Sequence, residues 1–305
     1  MLDQLKIKNL TNILVCLFSK QKATKAELVQ WTGLSNSTVS STVNSLLKLN
    51  LLVCAGMEDS IGGRRSTIYR LNKDYGEFIG VDIKEGELTL VVTDCENNIL
   101  QRYSWGIDGS QPVIDLLTGA LEQTIAGCSH VLGIGIGLDA QIDHKEQVIR
   151  HCDVCNWHYV HLKEIIERQF LIFTYLDHRV NGAAVREGVM GRACGLNNYL
   201  CCYESVAQKV ALVLDGQICR GHRNYTGRMK EPENLIQSAE TLVHFLDLSK
   251  VFIGYRTEER KIELLKLAQA IPEKVVCFPE TEDTIPVGMA AVAQKEWFQS
   301  IYFML

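Results

Sequence analysis

Apolar positions recur at three- and four-residue intervals through the first fifty residues and then shift to alternation and short runs. That change predicts a helical module followed by a mixed body. Residues 9–19 (NLTNILVCLFS) have helical spacing. Thr24 opens a second helix, TKAELVQWT. Its hydroxyl can cap the N-terminus, and Glu27 three residues on completes a capping box. Ala26, Leu28, Val29 and Trp31 form its expected core face. Gly33 interrupts the pattern and suits a tight turn between helices. Ser35 caps a third helix, SNSTVSSTVNSLLKLN, whose apolar positions are Val39, Val43, Leu46, Leu47 and Leu49. Residues 51–54 and 68–71 then read as the strands of a hairpin, and its tip carries Gly62-Gly63-Arg64-Arg65. Three helices and a hairpin in this order predict a winged helix-turn-helix.

From Phe78 the pattern is that of an α/β protein, with strands alternating with helices. Strands are expected over 78–83, 87–94 and 99–105, the last two joined by a turn at Asn97-Asn98. A helix over 113–126 and a buried strand over 131–138 (VLGIGIGL) follow. The second half repeats the logic. Helices are expected at 162–169, 181–188, 235–246, 260–270 and 286–299, and strands at 170–175, 198–202, 210–214, 250–254 and 274–278. The expected organisation is a winged helix-turn-helix over 1–73 and a two-lobed α/β region over 74–305. One lobe covers about 74–178 plus the C-terminal helix, the other about 179–285, with a cleft between them.

The third helix sharpens the functional reading. Its outward positions, Asn36, Ser37, Thr38, Ser40, Ser41 and Asn44, with the capping Ser35, are short, uncharged and able to donate or accept hydrogen bonds. A helix entering the major groove needs such side chains, whereas an ordinary solvated face carries Lys and Glu. Arg64 and Arg65 on the wing can contact phosphate or the minor groove, or else pair with acids of the body. Charge supports DNA as a partner. Residues 1–73 hold ten Lys/Arg and four acids, a net +6 within an overall −5, so the remainder carries −11. A basic module on an acidic body is the asymmetry expected when one end meets a polyanion.

The totals of 305 residues, 47% hydrophobic and 22% charged are those of a globular chain with room for more than one domain. No apolar run reaches the ~18–20 residues that span a bilayer, and the N-terminus lacks a signal-peptide pattern. The eleven cysteines therefore read as reduced thiols of a cytoplasmic protein rather than as disulfides. Cys152-Asp153-Val154-Cys155 has metal-like spacing, with His151, His158 and His161 nearby. Without a second pair, buried cysteines beside surface histidines are the better reading, and no metal or cofactor is expected.

The order of these pieces resembles the ROK family (repressors, open reading frames and kinases). Gly62-Gly63-Arg64-Arg65-Ser66 after the winged helix and Ile79-Gly80-Val81-Asp82-Ile83 at the start of the body fit its pattern. So do Gly133-Ile134-Gly135-Ile136-Gly137, Asn156-Trp157, and Asn181-Gly182-Ala183-Ala184-Val185-Arg186-Glu187. Leu214-Asp215-Gly216 through Arg220-Gly221, and Leu246-Asp247 with Val251-Phe252-Ile253-Gly254, complete a likeness that runs the full length. The resemblance implies the sugar-kinase fold of the actin-like ATPase superfamily, related to ribonuclease H.

The same resemblance implies that the kinase chemistry is missing. The family's catalytic Asn-Asp falls on His178-Arg179, and an arginine, with a pKa above ~12, cannot act as a general base. Asp177 lies two residues away, and on a strand end that changes its direction. The phosphate glycines correspond to Ser205-Val206-Ala207-Gln208-Lys209-Val210-Ala211, whose side chains obstruct a close backbone approach. The sugar-site Pro-Gly has become Asp139-Ala140. Thr226-Gly227-Arg228-Met229-Lys230-Glu231 stands where the zinc histidine is expected, and the cysteine segment is deleted.

Asp139, His178, Arg179, Asn181, Arg228 and Glu231 remain as candidate effector-binding residues, suited to a sugar or an anionic sugar phosphate. They are equally readable as positions that filled with structure once a ligand was lost. The expectation is a non-enzymatic regulator, a repressor of sugar-related genes, acting on an operator as a homodimer or tetramer. The alternatives are a sugar kinase with an accessory domain and a winged helix that contacts protein.

Overall fold

The computed structural model describes all residues except 1, 58–64, 207–209, 223–225, 229–234, 260, 263–268, 270, 272 and 302–305. The first helix, α1 (Leu2–Lys20), is longer than its apolar pattern indicated. It leads through a short strand, β1 (Lys22–Thr24), into α2 (Lys25–Thr32) and α3 (Asn36–Lys48). The Thr24 hydroxyl accepts from Glu27 N at 3.3 Å, and the Glu27 carboxylate accepts from Thr24 N at 2.7 Å, so the capping box forms. Gly33 ends α2 at φ 68°, a left-handed cap that a Cβ would strain. Strands β2 (Leu52–Met57) and β3 (Thr67–Leu71) make the hairpin, and β1 joins it in the order β1-β3-β2. Three helices and a three-stranded sheet thus make up the N-terminal module. The hairpin tip lies outside the described residues.

Two further sheets of five strands share one topology. In the first, β4 (Glu77–Lys84), β5 (Glu87–Asp94) and β6 (Ile99–Gly106) form an antiparallel meander. After α4 (Val113–Ala126), β7 (Val131–Leu138) pairs parallel with β4. A small antiparallel sheet of β8 (Gln141–Asp143), β9 (Val148–Cys152) and β10 (Trp157–Val160) follows, which the sequence did not signal. Then come α5 (Leu162–Phe170), β11 (Phe173–Asp177), parallel to β7, and α6 (Arg179–Met190).

The second sheet repeats the plan. A meander of β12 (Tyr199–Tyr203), β13 (Val210–Leu214) and β14 (Gln217–Ile218) is extended by α7 (Leu235–Phe245), β15 (Lys250–Tyr255) and β16 (Val275–Pro279). The orders β11-β7-β4-β5-β6 and β16-β15-β12-β13-β14 correspond strand for strand. The helix expected over 260–270 lies largely outside the described residues.

The last helix, α8 (Thr284–Ser300), returns to the first sheet. It lies so close that a Cβ on Gly135 would sit 2.0 Å from the Met289 carbonyl, so glycine is required there. The glycine-rich run of β7 is therefore read out as helix-on-sheet contact. The helical module also packs on α8. Phe18 meets Phe298 edge to face at 6.3 Å, and the Thr11 hydroxyl donates to the Phe298 carbonyl at 3.2 Å. Arg70 of β3 pairs with Glu96 of the β5–β6 turn. One hydrophobic cluster accordingly runs from Leu10, Leu14 and Leu17 to Trp297 and Ile301.

Candidate functional site

On α3, Val39, Thr42, Val43 and Leu46 are buried. Asn36, Ser37, Ser41 and Asn44 are exposed, and Thr38 and Ser40 are half-buried. Ser37, Ser41, Asn44 and Lys48 lie four, three and four residues apart, which sets them along one exposed stripe of the helix. Lys48 was overlooked in the sequence, although its spacing from Asn44 was the available signal. At the N-terminus the Ser35 hydroxyl accepts from Thr38 N at 3.2 Å and lies 2.8 Å from the Thr38 hydroxyl and 2.9 Å from the Ser37 hydroxyl. Three hydroxyls thus gather where the helix dipole favours an anion.

Trp31 is not a core residue. It is 40% exposed, with the Lys20 ammonium 5.8 Å from its ring, because α2 is short and only Leu28 of the expected face is fully buried. Ala26 and Leu49 are exposed too. Arg65 is exposed at the base of the wing, and Arg64 lies outside the described residues.

The second candidate region gathers at the carboxyl ends of β4, β7 and β11, the end of an open parallel sheet where ligands bind. Arg179, the first residue of α6, is buried and fully engaged. Its Nε and Nη2 donate to the two carboxylate oxygens of Asp82 at 2.5 and 3.1 Å. Its Nη1 donates to Asp139 Oδ2 at 3.1 Å and to the Ser205 carbonyl at 3.0 Å. Burial works against its charge, but Asp82 and Asp139 hold the guanidinium protonated, well above its ordinary value.

Asp177, at the end of β11, has no exposed surface. It accepts from His178 N and Asn181 Nδ2, both at 2.7 Å, and from Arg220 Nη2 at 2.8 Å. Burial pushes its carboxyl up, yet Arg220, His144, His178 and the Asn181 amide outweigh it and hold the group below the usual carboxylate range. Arg179 and Asn181 therefore build the frame of the site rather than face open space. Among the described residues, no cluster of three or more His, Cys, Asp or Glu could hold a metal ion. The cysteines at 152 and 155 are buried and His158 is exposed, as the sequence reading had it.

Above this frame lies a cavity of about 980 Å³. Of the sequence candidates, Asp139, His178 and Arg228 line it, and Glu231 lies outside the described residues. His144, Arg150, Arg220 and His222 also line it and were missed. They come from the unpredicted β8–β9 hairpin and from the segment after β14, where nothing in the local spacing marks them. Asp139 Oδ1 and Arg220 Nη1 of the lining are buried with no hydrogen-bond partner among the described residues. The site thus presents an unused acceptor and an unused donor.

The doubled five-stranded α/β plan with its ligand-sized cavity defines the class to which the chain belongs. The ROK family model matches residues 78–229, a span that includes the whole cavity lining, and that region of the chain is a ROK family domain. Over 235 residues it is 29% identical to the xylose repressor of Bacillus spizizenii, an alignment covering 74% of this chain and 61% of that protein. The chain thus spans about three fifths of the length of that curated relative. The crystal structure of a ROK family transcriptional regulator, a homologue of the E. coli MLC protein, matches with a TM-score of 0.73 at 14% identity, covering 98% of both chains. A ROK family glucokinase from Streptomyces griseus in complex with glucose and AMPPNP matches at 0.58 and 15% identity, covering 72% of this chain and all of that one. At these identities the likeness establishes the fold alone.

Proposed function

We propose that the chain is a DNA-binding transcriptional regulator, a repressor of sugar-related genes, whose ROK region binds a sugar or sugar-phosphate effector without phosphorylating it. The exposed stripe of Ser37, Ser41, Asn44 and Lys48 on α3 carries the reading. It joins small hydrogen-bonding side chains to one cation on a helix that projects from a module of net charge +6. Arg65 at the wing adds a phosphate contact. A single such module buries little DNA surface, so the chain acts in the cytoplasm as a homodimer or tetramer on a two-fold operator.

The effector reading rests on the cavity. A sugar hydroxyl donates and accepts at once, which suits Asp139 Oδ1 and Arg220 Nη1, while the cations Lys145, Arg150 and Arg228 of the lining suit a phosphate. The kinase reading is disfavoured by Arg179, which is buried against Asp82 where a general base is needed. Asp177 is no substitute, because its oxygens are taken up by Arg220, Asn181 and the His178 amide. The test is selection of genomic DNA fragments with purified chain. Enrichment of a few fragments that share a two-fold motif is expected. Uniform recovery of the pool would end the proposal.

A further inference from the structure

Two histidines of the β9–β10 hairpin play no part in the proposed regulator chemistry. The register sets Trp157 opposite Cys152 and His158 opposite His151. Successive strand residues face opposite sides. Cys152 therefore turns into the core with Trp157, while His151 and His158 share the outer face, directly across the ladder from each other. The thiols and the imidazoles are thus separated, which removes the arrangement a Cys2His2 metal site needs.

The outer face holds a pair of converging imidazoles. Their Nδ1 atoms lie 3.2 Å apart, and their ring centroids lie 4.7 Å apart at an interplanar angle of 45°. The nitrogens are closer than the centroids, so both rings tip their Nδ1 edges inward. Two nitrogens held by one tetrahedral zinc ion at ~2.05 Å lie ~3.3 Å from each other. The hairpin therefore already sets the ligand-to-ligand distance of such a site. A further contact decides which nitrogen of His151 is open. Its Nε2 donates to Asp153 Oδ1 at 2.8 Å, so the neutral ring carries its proton there and turns the Nδ1 lone pair toward His158. A carboxylate behind the ring is the support that metal-binding histidines commonly have.

We propose that His151 and His158 bind a divalent transition-metal ion of the imidazole-preferring class, zinc, copper or nickel, through their Nδ1 atoms, with Asp153 as a positioning residue. Without the ion, a hydrogen on His158 Nδ1 joins the two rings. The ion takes its place, and the proton moves to Nε2 of the same ring. Two imidazoles suit these ions and not magnesium or calcium, which take oxygen donors. With two protein ligands the remaining coordination positions go to water, so the site is open and exchangeable, unlike a closed structural site. His151 and Asp153 also line the large cavity, which puts the ion at its rim. An effect on effector affinity rests on the proposed effector site, whereas binding of the ion does not.

The test modifies the full chain with diethyl pyrocarbonate, with and without zinc chloride, and maps tryptic peptides with each modified ring located by fragmentation. The peptide 151–163, bounded by Arg150 and Lys163, holds both histidines and His161. His161 serves as the internal control, since its Nδ1 lies 3.3 Å from Glu164 on α5. His151 and His158 are expected to lose most of their modification in zinc and none in magnesium, while His161 reacts as before. His158→Phe is expected to abolish the protection of His151, and Asp153→Asn to raise the zinc concentration for half-protection about tenfold. The inference is overturned if His151 and His158 react as fast with zinc as without it, or if His161 is shielded to the same degree. It is equally overturned if His151 stays protected in His158→Phe. The wild-type map decides by itself should a variant fail to fold.

Discussion

Replacing Arg179 by methionine keeps most of the side-chain volume and deletes the charge at the centre of the frame. The structure sets the magnitude. The Arg179 and Asp82 side chains are 4% and 5% exposed, and the guanidinium donates twice to Asp82, once to Asp139 and once to the Ser205 carbonyl. Arg179→Met strands the Asp82 carboxylate in a site closed to water, and breaking one side of a buried pair costs about 3–5 kcal/mol. At roughly 2 °C per kcal/mol for a chain of this size, the melting midpoint falls by ~6–10 °C. The cost arises from an unpaired charge and not from a missing contact, so removing both charges with Arg179→Met and Asp82→Leu recovers most of the loss. Thermal and urea unfolding followed by circular dichroism measure both variants. A single variant that melts within ~2 °C of the parent, or a double variant that falls as far as the single, would refute the reasoning.

Phe298→Ala removes the ring that α1 packs on and should destabilise the chain by about 3–5 kcal/mol, with amide exchange in α1 rising more than in β4 and β7. Asp177 has its folded-state pKa lowered, so the stability it contributes is fully present above its unfolded value of ~3.9 and is lost as pH falls through the lower folded value. Asp177→Asn is therefore expected to flatten the stability–pH curve below about pH 4, and an unchanged acid limb in urea titrations contradicts this. Arg65→Ala should weaken DNA binding evenly across sequences and lower the salt slope by about one. A slope unchanged between two salt concentrations rules out the phosphate contact.

Much of the fold was legible because its signals are local. Thr24 with Glu27, Gly33 and Ser35 each satisfy or end a particular helix, and α4, β7 and β13 have the expected bounds because helical apolar spacing marks the one and unbroken apolar runs mark the two buried strands. The β8–β9 hairpin was not legible. Gln141–Asp143 is three residues long and its pairing is set by the chain around it, so it leaves no periodic trace. The polar face of α3 was readable from spacing alone, but the cavity was only half readable. Arg179 was visible as a replaced base, yet nothing local shows that Asp82, 97 residues earlier, takes it out of reach of a ligand. Arg220 meets Asp177 across 43 residues and was invisible for the same reason. Trp31 misled because a large apolar residue on a short helix was assigned to the core when a lysine covers it.

The claim that α3 reads DNA is tested most directly by the affinity of the chain for its selected fragment and for a scrambled duplex, with and without Ser41→Asp and Asn44→Asp. Both positions are exposed, so the fold should be unaffected. The account predicts that the two carboxylates abolish preference for the selected fragment while the melting midpoint stays unchanged. Undiminished preference in a folded variant would contradict it.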